Sequence, residues 1–190
     1  PTNQPTIAPS QPQKIYLKDY TPPDFSVNHI DLKIELFDRA DKKHATVTAN
    51  LDMTRNTAGD LVLFGRELQL ESITLNGKTL SESDYQLDQE SLTIVNAPDT
   101  CQITTVVTIV PQTNTSLEGL YQAGEGLDKM FCTQCEPEGF RKITFYPDRP
   151  DVLATFTTRI EADKTYPTLL ANARCRLAPR SGSAALRRWP

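Results

Sequence analysis

Histidine, cysteine and long apolar runs are all scarce in this 190-residue sequence, and each scarcity excludes something. Only two histidines occur, His29 and His44, and they lie far apart along the chain, too few for an imidazole-rich metal centre. Four cysteines are too few for a disulfide-dense secreted scaffold, so the expected compartment is reducing and the expected location cytoplasmic. No run approaches the ~20 apolar residues of a membrane span, and Pro1 to Gln13 lack the apolar centre of a signal peptide. No membrane partner is expected. Basic residues are outnumbered, 20 Lys and Arg against 24 Asp and Glu, which gives a net charge of -4. A broad nucleic-acid surface needs clustered cations to neutralise phosphates, so nucleic acid is not an expected partner either.

What is present is a globular balance of 38% hydrophobic and 23% charged residues, enough for one buried core, with no internal linker. Residues 1–14, rich in Pro, Thr, Gln and Asn, have almost nothing to bury and are expected to form a flexible arm. From there the apolar period is two. Ile30, Leu32, Ile34 and Leu36 alternate with Asp31, Lys33 and Glu35, and after a polar turn at Asp41 to Lys43 the pattern resumes with Ala45, Val47, Ala49, Leu51 and Met53. These two segments predict an antiparallel pair. Shorter strands are expected at Leu61 to Phe64, Leu68 to Leu75, Tyr85 to Leu87, Leu92 to Val95 and Ile103 to Val110, with a tight hairpin at Asn76-Gly77.

Many short strands and little helical periodicity predict an all-β fold, an antiparallel β-sandwich or saddle-shaped curved sheet. Gln112 to Pro150 reads as loop, with one short helical turn within Gly139 to Thr144, and Val152 to Ala162 returns to strand with Phe156, Thr158 and Ile160 on one face. The last stretch, 173–190, is a separate, atypical segment. Arg174, Arg176, Arg180, Arg187 and Arg188 crowd among Ala, Gly, Ser and Pro, and no acidic residue follows Asp163. It reads as a disordered basic tail, as a contact for acidic surfaces, or, the reading preferred here, as sequence translated out of frame.

Cys132-Thr-Gln-Cys135 has the spacing of a redox or zinc half-site, although a four-ligand zinc site needs two further ligands and Cys101 and Cys175 are isolated. Asn114-Thr-Ser116 fits the glycosylation pattern. Asp148 and Arg149 are expected to fix a turn that Pro150 stiffens. Taken as a bare residue, Glu136 is a solvated loop carboxylate.

Three ordered motifs change that reading. Ser116-Leu-Glu-Gly-Leu-Tyr-Gln122 resembles the Gly-hydrophobic-Tyr element that precedes the active-site loop in zinc aminopeptidases of the aminopeptidase N type. Cys132-Thr-Gln-Cys-Glu-Pro-Glu-Gly-Phe-Arg141 is similar to the Thr-Gln-x-Glu loop and the short helix following it. Asp148-Arg-Pro-Asp-Val-Leu-Ala154, leading into Phe156-Thr157-Thr158, resembles the bacterial branch, as does Tyr20-Thr-Pro-Pro-Asp24 before the first strand. The resemblance is to that family's N-terminal domain, covers roughly Lys14 to Asn172, and stops there, before any catalytic domain.

The resemblance implies that Gln134 and Glu136 help to hold the free α-amine of a peptide substrate, and that domain 15–172 works beside a catalytic domain. In the family a zinc ion is held by an H-E-x-x-H helix, which this sequence lacks, so the resemblance implies no metal ligand and no catalytic residue in this chain. The implied partners are a peptide N-terminus and the missing catalytic domain, and the chain alone is expected to be inactive. Two other readings stay open: a stand-alone β-sandwich that binds a protein or carbohydrate, and a redox or zinc module built on Cys132 and Cys135.

Overall fold

In the computed structural model the described residues are 14, 16–163, 165–171 and the strand residues 174–175. Most of the expected arm and of the Arg-rich segment therefore lies outside them. The strands are β1 (Phe25–Arg39), β2 (Lys42–Arg55), β3 (Leu61–Phe64), β4 (Gln69–Leu75), β5 (Lys78–Thr79), β6 (Gln86–Leu87), β7 (Ser91–Ile94), β8 (Thr100–Ile109), β9 (Gly119–Ala123), β10 (Met130–Gln134), β11 (Thr155–Glu161) and β12 (Arg174–Cys175). Helical structure among the described residues consists of three-residue 3-10 turns, one of them at Phe140–Lys142, within the predicted turn.

Period-two alternation becomes a one-sided sheet. β1 and β2 pair antiparallel with Ile30 opposite Leu51, Leu32 opposite Ala49 and Ile34 opposite Val47, so their apolar faces coincide. β8 joins on the far side of β2, with Val107 opposite Val47 and Ile103 opposite Leu51. The large sheet runs β12-β11-β1-β2-β8-β4-β5, and a second sheet, β3-β7-β6, contributes Leu61, Leu63, Leu92 and Ile94 to the same core cluster. This is the expected all-β sandwich, with one face of each sheet dry and the other wet. Ladder shifts between Val27 and His29 and between Leu70 and Ser72 insert bulges, the usual device for bending a strand and increasing twist.

Two features depart from simple meander pairing. β11 lies beside β1 in parallel, with His29 opposite Thr155 and Glu35 opposite Glu161. The segment read as loop contains a hairpin, β9–β10, because its strands bury only Gly119 and Leu120 and so show no clear alternation. The predicted turn at Asn76-Gly77 is present, both residues having positive φ (50° and 78°), between β4 and β5.

Candidate functional site

The β9–β10 hairpin carries the candidate residues. Gly119 stands opposite Gln134, at the open end of the hairpin, and Leu120 opposite Thr133. Asn114 prepares this end: its amide donates to the carbonyls of Glu118 (2.7 Å) and Leu120 (3.0 Å), and its oxygen accepts from the Ser116 backbone N–H and hydroxyl. The Asn114-Thr-Ser116 pattern thus has a local structural use, with its amide nitrogen engaged in the fold.

Beyond Gln134 the chain doubles back. The Gly139 N–H donates to the Glu136 carbonyl at 2.7 Å, and a Cβ on Gly139 would lie 2.8 Å from the Gln134 carbonyl and 3.2 Å from the Cys135 Cα. Only glycine permits this approach. The next two charged side chains turn inward. Arg141 is buried and meets Asp148 through Nε (3.2 Å) and Glu138 through Nη1 (3.1 Å), while Lys142 is buried against Glu118 (3.2 Å), Glu67 (3.6 Å) and the Ser116 hydroxyl (3.0 Å). Buried Arg141 and Lys142 carried no signal in the sequence, since such residues are ordinarily exposed. Arg149 pairs with Asp151 in a fork (2.9 and 2.7 Å) and donates to the Thr21 carbonyl at 2.8 Å, and Tyr20 donates to Asp151 at 3.0 Å. These contacts join the Asp-Arg-Pro turn to the Tyr-Thr-Pro-Pro segment.

Against this stitching, Gln134 and Glu136 stand out. Both are exposed, two residues apart at the rim of the loop, and among the described residues neither side chain has a hydrogen-bond or ion-pair partner. Their acceptor oxygens are available to a ligand.

The thiols do not make a redox pair. Cys132 lies within β10, Cys135 lies just past its end, and both are free thiols. Both thiols line a largely apolar cavity of about 1130 Å³ between β1, β10, β11 and the 166–171 segment. Although Cys135 as a residue is exposed, burial of its thiol, with a contribution from the Asp148 carboxylate, pushes it up to about 11. A thiolate is the reactive form, so Cys135 should alkylate at pH 8 roughly 100-fold more slowly than a thiol with pKa near 9. Peptide-resolved iodoacetamide kinetics will test this. A fast Cys135, or a Cys132–Cys135 disulfide after mild oxidation, would restore the redox reading.

Tyr146 supplies a second pH-dependent feature. Burial, with Asp148 nearby, pushes its hydroxyl up to about 12, whereas a tyrosine in the unfolded chain ionises near 10. The unfolded state loses its proton first, so this contribution is complete below pH ~10 and is lost as pH rises towards 12. Tyr146→Phe is expected to flatten the fall in urea midpoint over that window, and an unchanged slope would sink the assignment.

Nor do the described residues fit a zinc ion. His29 bonds Thr155 (2.7 Å) and Thr157 (3.2 Å), and His44 packs on Phe37 with ring centroids 5.2 Å apart. His44 is opposite Phe37, eight positions along β1 from His29, which separates the two by roughly 26 Å at 3.3 Å per residue. Among the described residues, no three of His, Cys, Asp or Glu converge as a ligand set.

Comparison with known proteins bears on the family and the fold. The family model of the peptidase M1 N-terminal domain matches residues 26–184. The aminopeptidase N of Haemophilus influenzae is 50% identical over 163 residues, which are 83% of this chain and 18% of that protein. The crystal structure of Legionella pneumophila aminopeptidase A in complex with aspartic acid superposes with a TM-score of 0.67 at 36% identity, over 80% of this chain and 18% of that one. An M1 zinc metallopeptidase from Deinococcus radiodurans shares the fold, with a TM-score of 0.58 at 19% identity, over 74% of this chain and 33% of its own. The chain spans under a fifth of the curated relative's length. With most of its sequence matched, and its strands and turns in the places described above, the chain belongs to the peptidase M1 N-terminal domain family.

Proposed function

We propose that this chain supplies the α-amine anchor of a zinc aminopeptidase, through Gln134 and Glu136, and catalyses nothing by itself. One observation carries the reading: where Glu138, Arg141 and Lys142 are all engaged, the exposed side chains of Gln134 and Glu136 have no hydrogen-bond or ion-pair partner among the described residues. An α-ammonium has three N–H donors and no acceptor. A carboxylate and an amide oxygen satisfy two of them, and the charge-assisted bond to the carboxylate is the stronger. An internal peptide bond offers no ammonium, so an anchor of this kind selects chain ends and sets the register to one residue. In a parent enzyme the chemistry a zinc ion would supply is Lewis-acid activation of a water, and the part proposed for this chain is to hold the substrate amine. The described residues do not fit that ion, and the reading assigns its ligands to a catalytic domain beside this one.

The test is a nuclear magnetic resonance titration of the labelled chain with alanine amide and, in parallel, with N-acetylalanine amide. The amine should shift the Gln134 side-chain amide and the Glu136 backbone signal with millimolar affinity, and the acetylated ligand should not. Glu136→Gln is expected to weaken amine binding at least tenfold, about 1.4 kcal/mol. Equal responses to both ligands would overturn the anchor and favour a stand-alone binding module.

A further inference from the structure

The loop contains two carboxylates, Glu136 and Glu138, and only one of them is free. Glu138 is taken by Arg141 Nη1 at 3.1 Å. The same guanidinium bonds Asp148 twice more, through Nε to a carboxylate oxygen (3.2 Å) and through Nη2 to the carbonyl (2.9 Å), and the Arg141 backbone N–H donates to that carboxylate at 3.0 Å. Its Cζ lies over the Phe64 ring, 4.7 Å from the centroid, and the Arg141 carbonyl accepts from the Arg66 N–H at 2.9 Å. The buried cation is therefore held by the body of the domain through Nε and Nη2, and Nη1 reaches out to the loop. Lys142, the only neighbouring buried cation among the described residues, is already engaged by Glu118 and Glu67.

We infer that Arg141 is a positioning residue for the amine anchor: its fork clamps Glu138 to Asp148, fixes the 135–139 loop, and leaves Glu136 as the loop's single uncommitted carboxylate. The inference rests on the anchor reading above. Two consequences follow from the chemistry. A single free carboxylate suits one monovalent ammonium, whereas a pair two residues apart would suit a divalent cation. A lysine cannot do the same work, because an ammonium is a point donor, while the planar guanidinium bonds Asp148 through Nε and Nη2 and pairs with Glu138 through Nη1.

The experiment measures alanine amide affinity by the same titration in the 190-residue chain, for the wild type, Arg141→Lys and Glu138→Gln, at 0.5 M salt to screen long-range charge. Arg141→Lys keeps the charge and removes only the fork. It is expected to weaken amine binding about tenfold, while signal dispersion away from residues 134–148 persists. Glu138 is largely exposed, so Glu138→Gln does not endanger the fold, and it should weaken binding about threefold by releasing the loop end of the clamp. A purely structural Arg141 would lower the melting temperature and leave the affinity of the folded protein unmoved, and that result overturns the inference while the anchor stands. If Arg141→Lys fails to fold, Glu138→Gln decides: wild-type affinity there overturns the clamp. A wild-type chain with no amine-selective response removes the anchor reading, and the clamp with it.

Discussion

Phe145→Ala should cost about 3–5 kcal/mol of folding stability, the range for deleting a buried aromatic ring, and lower the melting temperature by roughly 6–20 °C. Phe145 is 2% exposed and among the largest fully buried side chains. It lies between the turn at Phe140–Lys142 and Tyr146, whose backbone bridges Phe64 at the end of β3. Its ring lies so close to Gly65 that any side chain at Gly65 would strike it. Phe145 therefore joins the small sheet to the loop that follows the candidate site. Next to it in the chain, Tyr146 packs edge-on against Phe140 with ring centroids 5.0 Å apart. Urea and thermal unfolding will measure the effect, with Leu153→Ala, 86% exposed, as a control expected to stay within ~0.5 kcal/mol. A loss below ~1 kcal/mol for Phe145→Ala would mean that the core does not close around this ring.

The second large effect is expected at Gly119. Its φ is +73°, and an added Cβ would sit 2.7 Å from the Lys142 Cβ and 3.3 Å from the Gly139 carbonyl. Neither neighbour is the free end of a flexible chain. Gly119→Ala thus combines left-handed backbone strain, about 1–2 kcal/mol, with overpacking of about 1–3 kcal/mol. Gly77→Ala separates the two contributions, because Gly77 also has positive φ (+78°) but nothing within 4 Å of the added atom. It should cost only the strain. Because Gly119 pairs with Gln134, Gly119→Ala should also disturb amine binding, whereas Gly77→Ala should not. Equal losses of stability in the two variants would refute the close approach at Gly119.

How much of this was legible in the sequence depends on whether a residue's surroundings are near it in the chain. The β1–β2 pair was legible because each strand writes its dry face as every second residue, and the polar turn joins them directly. The Asn76-Gly77 turn was legible for its backbone chemistry alone. β9 and β10 were not: Gly119-Leu-Tyr-Gln-Ala buries two residues at one end and leaves the rest half-exposed, so no period appears. The parallel partnership of β1 and β11 joins residues more than a hundred positions apart, and no local pattern encodes it. Gln134 and Glu136 were identified through motif resemblance. What their own residue types could not show is that the rest of the loop's charge is already spoken for by Arg141, Asp148 and Lys142, whose burial is a tertiary fact.

The parallel pairing of β1 with β11 has a mechanical consequence. The chain enters the sheet at Phe25, the start of β1, and passes on from Glu161, the end of β11, and these two points lie at opposite ends of adjacent parallel strands. Tension between them slides the strands past each other, so the ladder from His29–Thr155 to Glu35–Glu161 is loaded all at once, in shear. The β9–β10 hairpin, pulled at its two open ends, would instead unzip one rung at a time. A pull between Phe25 and Glu161 therefore has to break the β1–β11 ladder as one unit, not rung by rung.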